Sequence, residues 1–328
     1  MSTSCNLAAV FPRYLVLVHD IDRPHNVFAD QSSVLVRSVA LNWYCTTMAD
    51  SRLRFLIVGA GRGGTSLLMG LLDAHSRLEV GLERHTVECL MGHGLGVPAA
   101  DIRKGLAQVR SAQFRAACDN DAAQHPTVAW GNKITTEQIY GLEDQNFANP
   151  GQVDVLQILF EENLSDVIVI FILRDGRTCV RSKLARTTQQ LAHACARWRY
   201  SVQVMDYLER YHANTVTVRY EELVKNPQTV LRNLCDVLDV EFEPNMLAGV
   251  ANEKLPDEYQ SDRISKASLS FAGAPVLAFP LLMDELRRLG YISPARFWIG
   301  RLTYSRWSPL LFLVVGAIAV MSAQSFLG

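Results

Sequence analysis

Residues 55–83 read FLIVGAGRGGTSLLMGLLDAHSRLEVGLE, and the way this stretch is parsed decides the fold. Phe55-Leu56-Ile57-Val58 is an apolar run short enough for a buried strand. Four glycines fall within the six residues from Gly59 to Gly64, the composition of a tight turn. Thr65 and Ser66 suit the first turn of a helix, and Leu67, Leu68, Leu71 and Leu72 then recur at helical spacing. A strand, a glycine turn and a helix N-terminus make an anion site, because free backbone N–H groups and the positive end of the helix dipole converge there. Which anion it takes is the functional question.

Three parsings of the loop compete. Gly59-x-Gly61-x-x-Gly64 fits a dinucleotide fingerprint, which requires an acidic residue ending a second apolar strand. The next segment, Arg77 to Glu83, is too charged and broken for such a strand. Gly59-x4-Gly64 is also the frame of a nucleotide-triphosphate P-loop, but Thr65 stands where its lysine belongs. The third parsing places the cation inside the loop, at Arg62, followed by Gly63-Gly64-Thr65-Ser66.

A chain of 328 residues with 49% hydrophobic content can bury the core of one large α/β domain. Its net charge of −1 carries no basic footprint for nucleic acid. Seven cysteines (Cys5, Cys45, Cys89, Cys118, Cys179, Cys195 and Cys235) are scattered without a CxxC pair, which suits reduced cytosolic thiols and no metal site. Residues 1–47 fit poorly with the rest of the chain. Met48 stands seven residues before the first strand, so 1–47 is expected to be a dispensable extension. At the other end, Ser308 to Leu327 are twenty consecutive uncharged residues. As helix they would span roughly 30 Å, the thickness of a bilayer core. Arg296, Arg301 and Arg306, interleaved with Trp298, Tyr304 and Trp307, mark a membrane–water interface before it. A C-terminal transmembrane helix is therefore expected, with a buried terminal helix as the alternative.

Between these ends strands alternate with helices. Gly92, Gly94, Gly96 and Pro98 make a loop that could edge a pocket, and 101–118 read as an amphipathic helix. Thr127 to Trp130 is a short strand running into Gly131-Asn132-Lys133, where open α/β sheets keep their ligands. The unbroken apolar run Val167 to Leu173 implies a strand buried on both faces. It ends at Arg174, followed by a helix carrying Ser182; an arginine and a hydroxyl so placed can clamp a phosphate. A helix over 187–211, with Trp198 and Tyr200 as packing residues, a strand from Thr215 to Tyr220 and a helix over 228–238 complete the pattern. Such alternation predicts a doubly wound parallel sheet flanked by helices.

The loop at 59–66, Arg174 with Ser182, and Arg219-Tyr220-Glu221-Glu222-Leu223-Val224-x-Asn226-Pro227 resemble, in order and spacing, the sulfotransferases that use 3′-phosphoadenosine-5′-phosphosulfate (PAPS). The resemblance covers about 55–240, with weaker matches to 291. It is closest in motif to the tyrosylprotein sulfotransferase-like branch, where an arginine-bearing loop precedes an LDAH such as Leu72-Asp73-Ala74-His75 and then a Gly-x-Glu. The resemblance implies a P-loop-like domain over 48–295 that takes PAPS as co-substrate and no metal. It assigns the 5′-phosphosulfate to Arg62 and the N–H groups of Gly63, Gly64, Thr65 and Ser66, and the 3′-phosphate to Arg174 and Ser182. Tyr220 would lie near the nucleotide, and Lys133 would reach the bridging or sulfuryl oxygens. Glu83 takes the place of the general base, with His85 as its rival.

Two departures from the family stand out. No proline follows Lys133, where the chain reads Ile134-Thr135-Thr136, and the late active-site segment is loosely matched by 261–266. By that resemblance, the segment would contribute Ser261 and Lys266 as cofactor contacts. A membrane-tethered nucleotide-binding protein without turnover and a P-loop kinase are the rival functions. The basic flank before the apolar segment predicts a single-pass membrane protein with its catalytic domain cytoplasmic, acting on a hydroxyl or amine of a lipid or glycan.

Overall fold

The computed structural model describes residues 52–92, 107–148, 153–257 and 278–293, together with 260, 264 and 269. Five parallel strands, β1 (Phe55–Gly59), β2 (Leu78–Leu82), β3 (Ala129–Lys133), β4 (Ile168–Leu173) and β5 (Thr215–Arg219), form one sheet in the order β2-β3-β1-β4-β5. The helices in chain order are α1 (Thr65–Asp73), α2 (Ala107–Ala123), α3 (Thr136–Ile139), α4 (Asp144–Ala148), α5 (Gly176–Arg186), α6 (Leu191–Tyr211), α7 (Tyr220–Lys225), α8 (Pro227–Leu238) and α9 (Ala278–Arg288).

Alternate residues of the central strands feed two cores, as the two-residue period of a strand dictates. Phe55 and Ile57 of β1 and Ile168, Ile170 and Ile172 of β4 pack with Leu68 and Leu72 of α1 and Leu231 and Leu234 of α8. Leu56, Val58, Val169, Phe171 and Leu173 go to the other face, with Phe114 of α2, Trp198 and Val202 of α6 and Leu282 and Leu286 of α9. Each such buried side chain contributes about 1.5–3 kcal/mol over exposure, so the central strands are anchored from both sides.

The sheet corrects two readings. Arg77 to Glu83, judged too charged for a strand, contains β2, the edge strand beyond β3. Leu78 and Val80 are buried while Glu79 and Gly81 are half-exposed. An edge strand with one solvated face tolerates that charge, and its backbone pairs with β3 regardless. The strand expected at 127–130 instead runs from Ala129 to Lys133, so Lys133 is its last residue. The helix expected over 101–118 is described as α2, Ala107–Ala123. Among the described residues no helix is long and apolar enough to cross a membrane. The segment 308–327, the extension 1–47 and the loop beyond Gly92 lie outside them.

Candidate active site

Parallel strands deliver their C-terminal ends to one rim of the sheet, where open α/β sheets collect ligands. After β1, the Gly63 amide donates to the carbonyl of Ala60 at 2.7 Å and closes a tight turn. Arg62 occupies that turn at φ 68°, and Gly64, at φ 104°, leads into α1. Only glycine fits at 64, because an added Cβ would lie 2.3 Å from Cδ2 of Tyr220. The first bond of α1 runs from Leu68 N–H to the Gly64 carbonyl at 3.1 Å. The preceding amides, those of Thr65 and Ser66 included, have no carbonyl of their own helix to bind and suit an anion.

The turn after β4 braces this loop. Arg174 Nε donates to Thr178 Oγ1 at 3.0 Å, and its Nη1 donates to the carbonyl of Arg62 at 3.0 Å. Its guanidinium lies 4.3 Å from the ring centroid of Tyr220, within cation–π range. Trp198 donates Nε1–H to the Arg174 carbonyl at 2.9 Å, and Asp175 pairs with Arg177. Ser182 does meet the loop, its hydroxyl accepting from Arg62 Nε at 3.2 Å.

The opposite wall lies beyond β2. Glu83 and His85 adopt φ of 55° and 62°; with Arg62 and the helix-ending Asp239 they are the non-glycine residues at positive φ among the described residues. Such backbone costs on the order of 1–3 kcal/mol per residue and concentrates at functional sites. The Glu83 amide donates to the Lys133 carbonyl at 2.9 Å, which sets the two side chains next to each other. Lys133 Nζ pairs with Glu83 Oε1, and Gln138 Nε2 donates to Glu83 Oε2 at 2.7 Å. Gln138 Oε1 accepts the Thr135 amide at 2.7 Å in a capping box that starts α3. His85 is engaged elsewhere: its Nε2 lies 2.9 Å from Asp121 Oδ2, which also accepts from Arg84 Nε at 3.0 Å. Burial alone would raise the Asp121 pKa, but the donors Arg84 and His85 outweigh it and hold the carboxyl below its usual range.

The two walls enclose a cavity of about 480 Å³ lined by Gly61, Arg62, Gly64, Thr65, Ser66, Leu67, Leu82, Glu83, Lys133, Thr135, Arg174, Tyr220 and Pro256. Its size falls in the range of small-molecule sites, roughly 300–1,000 Å³. Among the described lining residues, Arg62, Lys133 and Arg174 set three cations against the one carboxylate of Glu83, which favours an anionic ligand. Beside the loop, Cys179 donates to the Gly61 carbonyl at 3.5 Å, and burial pushes its thiol up to about 11.

A family model described as "Sulfotransferase family" matches residues 55–244, more than half of the 328-residue chain. The chain belongs to the sulfotransferase family. Among solved structures, this sulfotransferase is similar to the sulfotransferase domain of the olefin synthase from Synechococcus PCC 7002, at 19% identity and a TM-score of 0.50 over 74% of this chain and 95% of that one. It also resembles the sulfotransferase domain of the curacin biosynthetic pathway, at 20% identity and a TM-score of 0.48 over 74% of this chain and 100% of that one. The first of these likenesses concerns the fold alone. A comparison with curated proteins returned no match.

Of the residues expected from the sequence, Arg62, Gly64, Thr65, Ser66, Glu83, Lys133, Arg174 and Tyr220 line the sulfotransferase's cavity. Gly63 shapes the turn, Ser182 bonds to Arg62, and His85 bonds to Asp121. Ser261 and Lys266 lie outside the described residues. Sequence reading does not single out Gln138, Glu137 or Lys183. Thr135-x-x-Gln138, starting two residues after Lys133, is the available signal for Gln138. Nothing local announces the role of Glu137, whose contacts with Lys183 and the Gly61 amide span 46 and 76 residues.

Proposed function

We propose that the protein transfers the sulfuryl group of PAPS to a hydroxyl or amine of an acceptor, with Glu83 as general base. The observation that carries this reading is the cavity in which Arg62, Lys133, Arg174 and the first turn of α1 face the carboxylate of Glu83. PAPS, once bound, supplies the sulfuryl group and a phosphate leaving group on which negative charge grows. Arg62 and the first-turn amides of α1 hold the 5′-phosphosulfate, Arg174 and Ser182 take the 3′-phosphate, and Tyr220 packs beside the nucleotide. Lys133 stabilises the charge on the departing oxygen. Glu83 accepts the proton as the acceptor oxygen or nitrogen bonds to sulfur. The bond between sulfur and the bridging oxygen breaks, and its electron pair leaves with adenosine 3′,5′-bisphosphate. Glu83 is favoured over His85 because it lines the cavity while His85 is bonded to Asp121. Within the family, the likeness to the tyrosylprotein branch rests on the Leu72-Asp73-Ala74-His75 and Gly81-x-Glu83 spacing.

Calorimetric titration with adenosine 3′,5′-bisphosphate and with ATP tests the reading. Tight binding of the bisphosphate and weak binding of ATP are expected; preference for ATP would point to a kinase and overturn it. Binding without any acceptor in an extract gaining the mass of one SO₃ would leave a nucleotide-binding protein without turnover.

We further propose that Ser308 to Leu327 serve as a membrane anchor and, by the positive-inside tendency, that the catalytic domain is cytoplasmic. A domain tethered so near the headgroups suits a membrane-resident acceptor, a lipid or lipid-linked glycan. Deleting 308–328 should preserve turnover on a detergent-dispersed acceptor and abolish it on vesicles. Full-length protein that fractionates as soluble without detergent would sink the anchor.

A further inference from the structure

The short helix α3 stands between the loop after β1 and Glu83, and its side chains serve both. Gln138 holds the Glu83 carboxylate. Its neighbour Glu137 turns to the loop: Oε2 accepts the Gly61 amide at 2.7 Å, and Lys183 of α5 pairs with Oε1. The lysine side chain is 4% exposed and the carboxylate 21%, so water screens the pair little. Gly61 admits the approach, since an added Cβ would lie 3.2 Å from the carboxyl carbon and from both oxygens. Lys183 directly follows Ser182, whose hydroxyl accepts from Arg62.

A carboxylate behind an anion loop works against binding, because like charges in a sheltered site repel with little screening. We propose that Glu137 is a positioning residue for the donor loop and that Lys183 is its charge compensator. The carboxylate fixes the Gly61 amide and, through it, the turn that carries Arg62. The ammonium cancels the negative charge that would otherwise repel an anionic donor. Because α3 also holds Glu83, the same four residues register the donor loop against the base. This inference rests on the sulfotransferase reading for the identity of the donor.

A mutant cycle read by affinity for adenosine 3′,5′-bisphosphate, and by kcat and KM for PAPS, separates the roles. Lys183→Met leaves the carboxylate uncompensated and should weaken binding about tenfold or more. Glu137→Gln alone keeps an acceptor for the Gly61 amide, removes the repelling charge and should bind as tightly as wild type or tighter. Combining Glu137→Gln with Lys183→Met should return affinity to within about threefold of wild type. Glu137→Ala with Lys183→Met removes the acceptor as well and should lower kcat in addition to raising KM. If Lys183→Met fails to fold, the Glu137→Gln single variant still decides, since a merely structural pair predicts weaker binding there. Additive losses in the cycle, with wild type binding the bisphosphate, overturn this inference alone. Failure of wild type to bind the bisphosphate overturns it together with the sulfotransferase reading of the loop.

Discussion

The loop after β1 and the turn after β2 line one cavity from opposite supports. β1 lies between β3 and β4, and all five of its residues are buried. Backbone ladders on both sides and two hydrophobic cores hold that loop in place. β2 is an edge strand, paired on one side only among the described residues, and the Glu83 side chain beyond it remains 38% exposed. Glu83 is located by side chains from elsewhere: Lys133 at the end of β3 and Gln138 on α3. The central wall therefore stands on a buried strand paired on both sides, with Arg174, Ser182 and Glu137 bracing its loop, whereas the edge wall rests on a strand paired to β3 and on side chains from β3 and α3. Anion binding should tolerate changes at the edge wall, while chemistry should not.

The largest expected effect tests the edge wall. Glu83→Gln should lower kcat by about 10²–10⁴-fold, the usual worth of a general base, with bisphosphate affinity near wild type. His85→Ala should leave kcat close to wild type, since His85 faces Asp121. Unchanged kcat in the glutamine variant would move the base to His85 and reverse the assignment.

Arg62→Ala attacks the central wall. Losing a charged phosphate contact costs about 1.5–3 kcal/mol, roughly 10- to 100-fold in affinity for the bisphosphate by calorimetry. Retained affinity would mean that the amides of α1 suffice. Gly64→Ala perturbs the same wall through its backbone. An L side chain at φ 104°, with Cβ pressed on the Tyr220 ring, should cost about 1–3 kcal/mol of stability and lower the melting temperature. A variant that melts like wild type would show that the turn relaxes without loss.

The smallest effect concerns the brace under Arg174. Glu221 accepts the Asp175 amide at 2.9 Å and the Tyr291 hydroxyl at 3.1 Å, and burial raises its pKa above the ordinary 4.5. The folded protein thus holds this proton more tightly than the unfolded chain. The stability it contributes is complete below the ordinary glutamate value and is lost as pH rises through the folded value. Glu221→Gln, which mimics the protonated form, should match wild type in acid and gain on it in melting temperature toward neutrality. A constant difference across that range would assign the brace to shape alone.

The strand, turn and helix over 55–73, the buried strand ending at Arg174 and the strand ending at Arg219 can be read from the sequence, because each is written in contiguous residues. Apolar runs announce central strands, and clustered glycines announce a turn that side chains would block. The same local patterns place Arg62, Lys133, Arg174 and Tyr220 at strand ends, where an open parallel sheet gathers its ligands. Tertiary structure decided the rest. Arg77 to Glu83 contains a strand only because β3 offers it a pairing edge, which local charge does not reveal. Arg62 meets Ser182 across 120 residues of chain, and Glu137 reaches Gly61 across 76. Such contacts depend on the order in which strands enter the sheet and on which helix crosses which edge. Each supplies a hydrogen-bond partner to a polar group that the fold shelters from water, and no window of a dozen residues contains both partners.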